Sequence, residues 1–435
     1  MAKKIFLMSL GCPRNLVDSE RLLGILEDKG FQIIENIEEA NIAIVNTCGF
    51  IQDAKEESIS YILQIVELKK EKKIDKIIVV GCLTQRYPEE FSKEIKEIDA
   101  IFGVINNENI NRILDFLSKK TTDKNLDNID YNKRKILTLP HSVYIKIQEG
   151  CSNRCSYCII PQLKGKCKSK TIEDIINEIN IIKKTKSVKE IILIGQDTTS
   201  FGYDRNNKND LINLLNLISP LIKDKWIKLL YTHPAHFTKE LINVIKNQEN
   251  ICKYIDLPIQ HINNRILKKM NRLITKEQII DLINDIRKKI KNVAIRTSII
   301  VGFPGETEEE FNELLCFLEQ IKFERLGVFL YSCEEGTIAY NFKDQVSEKV
   351  KKQRFEKIMQ LQQKISYDNN GKFINKTIKV LVEEKNGDLY VGRSEIDAPE
   401  VDGVVYIKGN NLKIGDFVNV KITDFMEYDL YGEIK

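Results

Sequence analysis

Val143-Tyr-Ile-Lys-Ile-Gln-Glu-Gly150-Cys151-Ser-Asn-Arg-Cys155-Ser-Tyr-Cys158 runs from an apolar, β-branched stretch into three thiols within eight residues. Such a stretch predicts a strand, and the loop beyond its C-terminal end is where parallel α/β folds place their ligands. A C-x3-C-x2-C spacing can wrap one soft metal centre. Zinc ordinarily takes a fourth protein ligand. His141, ten residues before Cys151, and Cys167, nine after Cys158, both fall outside zinc-finger spacing. A cubane held by three thiolates leaves one iron open to a small ligand. A zinc site or an incidental cysteine-rich loop are the alternatives that the residues alone leave.

Outward from this stretch the chain alternates apolar and helical runs. Strands are predicted at 143–148, 190–195, 226–232, 254–258, 293–301 and 324–332, with helices such as 171–184 and 308–321 between them. Six strand–helix units in succession predict a partial (β/α)6 parallel barrel. Upstream, strands at 5–10, 41–46, 76–80 and 100–104 and helices at 18–29 and 54–72 predict an N-terminal parallel α/β domain. Residues 119–135 are polar and aperiodic and read as a linker. Downstream, a basic helix over 349–366 precedes a change to polar–apolar alternation at 377–384, 389–394, 403–407 and 416–428, with Asn386-Gly387-Asp388 as a turn. That is the pattern of a small antiparallel β-barrel. The expected fold class is therefore α/β with a C-terminal β-barrel, divided at 1–118, 136–367 and 370–435.

A second cysteine set is dispersed in sequence. Cys12, Cys48 and Cys82 each follow the end of a predicted strand, as Gly11-Cys12, Asn46-Thr47-Cys48 and Gly81-Cys82. Strand ends of a parallel sheet share one edge, so the three thiols converge by topology. Two of them follow a glycine, which lets backbone approach a bulky ligand.

At 435 residues the chain exceeds one ordinary core, and 42% hydrophobic with 30% charged residues describes a globular protein. No apolar run spans a bilayer. The N-terminal apolar stretch is shorter than a signal-peptide core and lacks a cleavage pattern, so a cytoplasmic location is expected. Ten cysteines in a reducing compartment imply metal ligands or buried thiols rather than disulfides. A net charge of +4 does not mark a nucleic-acid binder.

Ser9-Leu-Gly-Cys12-Pro-Arg-Asn15, Asn46-Thr-Cys48-Gly-Phe-Ile51 with Ala54-Lys-Glu-Glu-Ser58, Cys155-Ser-Tyr-Cys158-Ile-Ile-Pro161 and Gln196-Asp-Thr198 resemble the methylthiotransferase family of radical S-adenosylmethionine enzymes. The likeness extends over the whole chain, including a C-terminal domain similar to the TRAM barrel. Around Cys12 and Cys48 the chain resembles the branch that modifies an aspartate of small-subunit ribosomal protein S-twelve. The tRNA-modifying branch has Gly-Cys-Gln-Met-Asn and Asn-Thr-Cys-x-x-Arg, where this chain has Pro13-Arg14-Asn15 and Gly49-Phe50-Ile51. The resemblance implies two 4Fe–4S clusters and S-adenosylmethionine as cofactors. The cluster on Cys151, Cys155 and Cys158 would generate a 5′-deoxyadenosyl radical. The cluster on Cys12, Cys48 and Cys82 would deliver a methylated sulfur to the substrate carbon.

Strand-end residues are the further candidates for the cofactor pocket. They are Gly195, Gln196, Asp197, Gln260, Arg296, Ser298 and Gly302, the last opening Gly302-Phe-Pro-Gly-Glu306. Tyr157, inside the cysteine loop, matches an aromatic residue that packs near adenine in related enzymes. His261 reads as structural, and the 349–357 charge run as a solvated helix face. Residues 371–435 carry nine Lys and Arg against twelve Asp and Glu, a net of −3. A barrel gripping RNA backbone would be basic, whereas an acidic one suits a basic ribosomal protein. The expected partners are ribosomal protein S-twelve and an electron donor such as flavodoxin or ferredoxin, with no membrane. A tRNA adenosine methylthiotransferase is the second reading, and a non-catalytic iron–sulfur protein that binds ribosomes the third.

Overall fold

The computed structural model describes residues 3–118 and 129–434. The chain divides into two compact units, 1–137 with 159–166, and 138–158 with 167–435.

In the first unit, β1 (Lys4–Ser9), β2 (Gln32–Ile33), β3 (Ile42–Thr47), β4 (Lys76–Gly81) and β5 (Ala100–Ile101) form a parallel sheet ordered β2-β1-β3-β4-β5. Every residue of β3 is buried, as a parallel strand covered on both faces requires. Its alternate residues serve two cores. Ile42 and Ile44 pack with Leu22 and Ile25 of helix Pro13–Asp28, while Ala43 and Val45 pack with Ile62 and Val66 of helix Gln52–Lys70. The first of these helices begins two residues after Gly11 with a proline, whose missing N–H has no helical partner to lose. The predicted linker lies outside the described residues over 119–128. Its later part is anchored: Arg134 Nε donates to Glu20 at 2.6 Å, and Tyr131 Oη to Asn111 at 2.6 Å. The short helix Ile160–Lys164 also belongs here, with Ile159 and Leu163 packed beside Cys82 and Val104.

In the second unit, β6 (Ser142–Lys146), β9 (Glu190–Ile194) and β10 (Trp226–Leu229) form one parallel sheet, ordered β10-β9-β6. A second is ordered β11-β12-β13, from β11 (Tyr254–Asp256), β12 (Ala294–Val301) and β13 (Arg325–Leu330). The Ile227–Ile251 bridge joins the two halves, which is the expected partial barrel. Strands β7 (Gln148–Glu149) and β8 (Lys168–Ser169) pair antiparallel at the base of the cysteine loop. Threonine caps start the outer helices. Thr275 and Thr307 form full capping boxes with Gln278 and Glu310.

Strands β14 (Thr377–Asn386), β15 (Leu389–Ser394), β16 (Val405–Lys408), β17 (Phe417–Phe425) and β18 (Leu430–Ile434) close a barrel ordered β14-β15-β16-β18-β17. The stretch predicted over 416–428 covers β17 alone. Strand β18 was not anticipated, because its closing partner β16 is remote in sequence and its pattern is too short to register.

Two charge-based expectations change. Helix Glu348–Gly371 is not simply solvated on its basic face, since Lys351 and Arg354 are buried. Lys351 Nζ donates to Tyr331 O at 2.9 Å, and Arg354 pairs with Glu306 at 3.3 Å. Nor does the −3 of the C-terminal barrel lie on its surface. Glu383, Asp397 and Asp402 are consumed in buried ion pairs, as is Arg393. Without them, eight Lys and Arg face nine Asp and Glu, a near-neutral barrel. Among the described residues no helix is long and apolar enough to cross a membrane.

Candidate functional site

The first unit brings Cys12, Cys48 and Cys82 to the ends of three neighbouring strands, β1, β3 and β4, in register Ser9–Asn46 and Thr47–Gly81. Contact is close. Gly11 has φ +88°, and a Cβ on it would lie 2.7 Å from Cys48 Cβ and 2.9 Å from its Sγ. Asn15 ties the segments together: its Nδ2 donates to Leu10 O at 3.2 Å and Thr47 O at 3.0 Å, and its Oδ1 accepts from the Cys82 thiol at 3.8 Å. Burial pushes the Cys82 thiol up to about 12 and raises Cys48. Burial also acts to raise Cys12, but Arg14, the Asn15 N–H and Lys164 outweigh it and leave that thiol lowered. Cys12 is thus the readiest thiolate, and metal must displace protons from the other two. Lys164 is itself held by buried Asp18 at 3.3 Å.

In the second unit the loop carrying Cys151, Cys155 and Cys158 is fastened at several points. Ser156 donates to Lys269 O and Met270 O through Oγ and N at 2.7 and 3.0 Å, and Asn271 Nδ2 to Arg154 O at 2.7 Å. Arg272 Nη1 lies 3.8 Å from Cys155 Sγ, a buried cation beside a prospective thiolate. Tyr157 packs with Met270, Phe303 and Tyr331, and burial holds its hydroxyl well above the usual phenol range. Burial pushes Cys151 up to about 12.

No disulfide forms among the ten cysteines. Tetrahedral zinc at Zn–S of about 2.3 Å would draw its sulfurs to about 3.8 Å from one another. Among the described residues, the one group of potential ligand atoms all within 4.8 Å of each other is Asp197, His233 and His236, so neither cysteine triad is gathered around a single ion. Three spread thiols in a pre-formed loop, with a cation nearby, fit a larger iron–sulfur cluster.

The strand-end candidates fall into two groups, and Gln148, which sequence reasoning did not single out, joins the first. Gln148 and Gln196 each have a buried amide oxygen with no hydrogen-bond partner, and Gly195 has no room for a side chain because a Cβ would meet Gln148 Cγ at 2.7 Å. Gln260 holds φ +68°, a strained backbone for a residue with a Cβ. The two amide oxygens are hydrogen-bonding capacity still to spend. Asp197, Arg296 and Ser298 are already engaged. Asp197 accepts from Asn153 Nδ2 at 2.7 Å and Thr199 Oγ1 at 2.6 Å and pairs with His236 Nδ1 at 2.6 Å. Burial opposes its ionisation, but His236 and its other partners lower it to about 2. Arg296 Nη1 pairs with Asp256 at 3.3 Å and reaches Ser298 Oγ at 3.4 Å, while its Nε reaches Asp402 at 3.5 Å. Gly302 opens a loop closed by its own Glu306, whose carboxylate accepts from the Gly302 and Phe303 N–H groups.

His233 Nδ1 accepts the Ala235 N–H at 3.2 Å, which puts the neutral ring's proton on Nε2. His233 therefore has no ring lone pair to spare, and Asp197 and His236 are already paired with each other, so the three are not a ready set of metal ligands. His261 is buried, its Nδ1 accepting from Asn263 N at 3.0 Å, a structural histidine as expected. Sequence reasoning did not single out Asn153, His233, His236 or Arg272. The first lies inside the cysteine motif and the histidines follow β10, so strand-end position could have found them. Arg272 comes from a helix end and only packing reveals it.

Family models match the chain in three places: Uncharacterized protein family UPF0004 at residues 4–103, the Radical SAM superfamily at 145–318 and the TRAM domain at 374–434. The fold is also that of solved radical enzymes. The radical S-adenosylmethionine methyltransferase TsrM from Kitasatospora setae, with cobalamin and a [4Fe-4S] cluster bound, superposes with TM-score 0.57 at 13% identity, over 76% of this chain and 75% of that one. The cobalamin-dependent S-adenosylmethionine radical enzyme OxsB gives 0.51 at 13% identity, over 81% of this chain and 56% of that one. The catalytic barrel and its cysteine loop define a radical S-adenosylmethionine enzyme that uses iron–sulfur chemistry. Over 99% of its length the chain is 49% identical to the ribosomal protein uS12 methylthiotransferase RimO of Clostridioides difficile (strain 630), covering 98% of that protein. It is 47% identical to RimO of Thermoanaerobacter sp. (strain X514), covering 99% of this chain and 100% of that one. This chain belongs to the RimO family of methylthiotransferases.

Proposed function

We propose that this chain transfers a methylthio group to the β-carbon of an aspartate of ribosomal protein uS12, using two 4Fe–4S clusters. The observation that carries the reading is full-length similarity to RimO relatives in a chain with two converging cysteine triads. The division at 1–118, 136–367 and 370–435 belongs to the same proposal, as does a cytoplasmic site of action. Cys151, Cys155 and Cys158 would hold the cluster that works with S-adenosylmethionine. Cys12, Cys48 and Cys82 would hold the second. When bound, these cofactors supply hydrogen-atom abstraction from an unactivated carbon and the sulfur that replaces it. The chain's own residues bind and orient. Gln148 and Gln196 offer unspent amide oxygens to the cofactor, Gly195 gives the Gln148 side chain room to reach it, Gly302 shapes the loop at the end of β12, and Gln260 and Tyr157 flank it. Asp197, Arg296 and Ser298 act by holding strand ends in place, because their polar groups are already paired. A low-potential donor such as flavodoxin or ferredoxin supplies electrons.

The preference for uS12 over tRNA rests on the relatives and on the residues beside Cys12 and Cys48, since the C-terminal barrel is close to neutral. Mass spectrometry decides it. A strain lacking the gene should lose a methylthio increment on one aspartate of uS12, with tRNA adenosines unchanged. A methylthio group lost from tRNA instead would assign the tRNA reaction.

A further inference from the structure

The C-terminal barrel is not an appendage of the catalytic one. The end of β15 and the segment that joins it to β16 engage side chains of all six catalytic strands. Asp397 pairs with Arg325 of β13 at 2.6 Å, and its carbonyl accepts from Lys228 of β10. Arg393 pairs with Glu190 of β9 at 2.7 Å and reaches Ser142 Oγ of β6 at 3.3 Å. Asp402 accepts from Tyr254 Oη of β11 at 2.7 Å and pairs with Arg296 of β12 at 3.5 Å.

One branch of this network does not stop at the contact. Arg296 passes to Asp256 at 3.3 Å. The other oxygen of Asp256 accepts the Tyr231 N–H at 2.7 Å, and its carbonyl accepts from Thr232 Oγ1. Tyr231 has φ +61°, a conformation that persists in a residue with a Cβ only when its surroundings impose it. Tyr231 O in turn accepts from Thr198 N at 2.9 Å, and His233 N donates to Thr199 Oγ1 at 2.9 Å. Thr199 leads to Asp197, and Asp197 to Asn153 inside the cysteine loop. Polar contacts, linked through the backbone of 197–199 and 231–233, thus run from the C-terminal barrel to the loop of Cys151, Cys155 and Cys158.

We propose that Asp402 is a positioning residue for the reaction: through Arg296 and Asp256 it holds the strained Tyr231 and thereby the Asp197–His233–His236 edge beside the cysteine loop. Arg393 anchors the same segment at Asp397 O, at 3.0 Å, and otherwise contacts Glu190, Glu383 and Ser142; none of these four lies in the chain of contacts from Asp402 to the cysteine loop. The two residues therefore separate loss of stability from loss of position.

The test uses full-length reconstituted protein with S-adenosylmethionine, a chemical reductant and uS12. Asp402→Asn should keep its iron content and its KM for S-adenosylmethionine. Its 5′-deoxyadenosine formed per methylthiolated product should rise about tenfold, the order that a small misplacement of reacting groups causes. Asp402→Glu should recover most of the coupling. Arg393→Met should melt earlier yet keep the wild-type ratio. An unchanged ratio in Asp402→Asn, or an equal rise in Arg393→Met, overturns the assignment. The proposal rests on the proposed reaction for its product readout. If wild type makes no product on uS12, that reading fails first, and the rate of 5′-deoxyadenosine formation without uS12 still compares Asp402→Asn with Arg393→Met.

Discussion

Replacing Gly11 by alanine tests the first cysteine triad directly. The new Cβ would stand 2.7 Å from Cys48 Cβ and 2.9 Å from its Sγ. Carbon–carbon contacts settle at about 3.5–4.0 Å, so relief requires a shift of about 1 Å. Metal–ligand distances tolerate only about 0.2 Å, which takes Cys48 out of the coordination set. The backbone at φ +88° adds strain of about 1–2 kcal/mol and overpacking about 1–3, for a total of about 2–5 kcal/mol. The assay is iron and sulfide per chain after anaerobic reconstitution, in a background with Cys151, Cys155 and Cys158 changed to alanine. Remaining iron there reports the first triad alone, and Gly11→Ala should remove most of it. Gly30→Ala is the control: it has φ +87° but nothing within 4 Å of the added Cβ, so it meets the backbone strain without the clash. Full iron in Gly11→Ala, or equal loss in Gly30→Ala, would refute the claim that Gly11 exists to admit the Cys48 thiol.

Three further outcomes are expected. Wild-type protein should hold close to two clusters; removing Cys151, Cys155 and Cys158 should abolish 5′-deoxyadenosine formation, whereas removing Cys12, Cys48 and Cys82 should leave it detectable and stop sulfur insertion. Equal loss of cleavage in both folded variants would show that the labour is not divided. Arg393→Met takes the guanidinium from buried Glu190, leaving it Lys228 Nζ at 3.2 Å and Ser142 Oγ at 2.9 Å, and from Glu383; breaking a buried ion pair costs up to about 3–5 kcal/mol, so thermal unfolding should move down, and wild-type melting would count against the network. Burial and then the charge of Arg272 lower His233 from 6.5 to about 2, so below pH 6.5 the unfolded chain binds a proton that the folded one refuses. Its contribution to stability is complete above that pH and declines as pH falls, by up to about 1.4 kcal/mol per unit. His233→Asn keeps an acceptor for Ala235 N without a titrating ring and should flatten denaturation profiles between about pH 6 and 4. An unchanged slope would exclude His233 as its source.

Local rules made much of this protein legible. The β-branched runs, the threonine caps and the C-x3-C-x2-C spacing are short-range signals, and the six cysteines proposed to hold clusters could be named either from that spacing or from a strand-end position. Convergence of Cys12, Cys48 and Cys82 needed only the rule that parallel strand ends share an edge. Packing decided the rest. Charge counting read Glu383, Asp397 and Asp402 as an acidic surface and saw no partners for them in Arg393, Arg325 and Arg296. Folding instead buries them against one another, because carboxylates and guanidinium groups leave water only when paired. Those partners are separated by more than a hundred residues in some cases, as with Asp402 and Arg296, so no window of sequence contains the interaction. The positive φ of Tyr231 is likewise invisible to propensity, since the carboxylate that accepts its N–H comes from a neighbouring strand. Composition and spacing determined which chemistry the chain can hold; long-range pairing of buried charge determined how that chemistry is held in place.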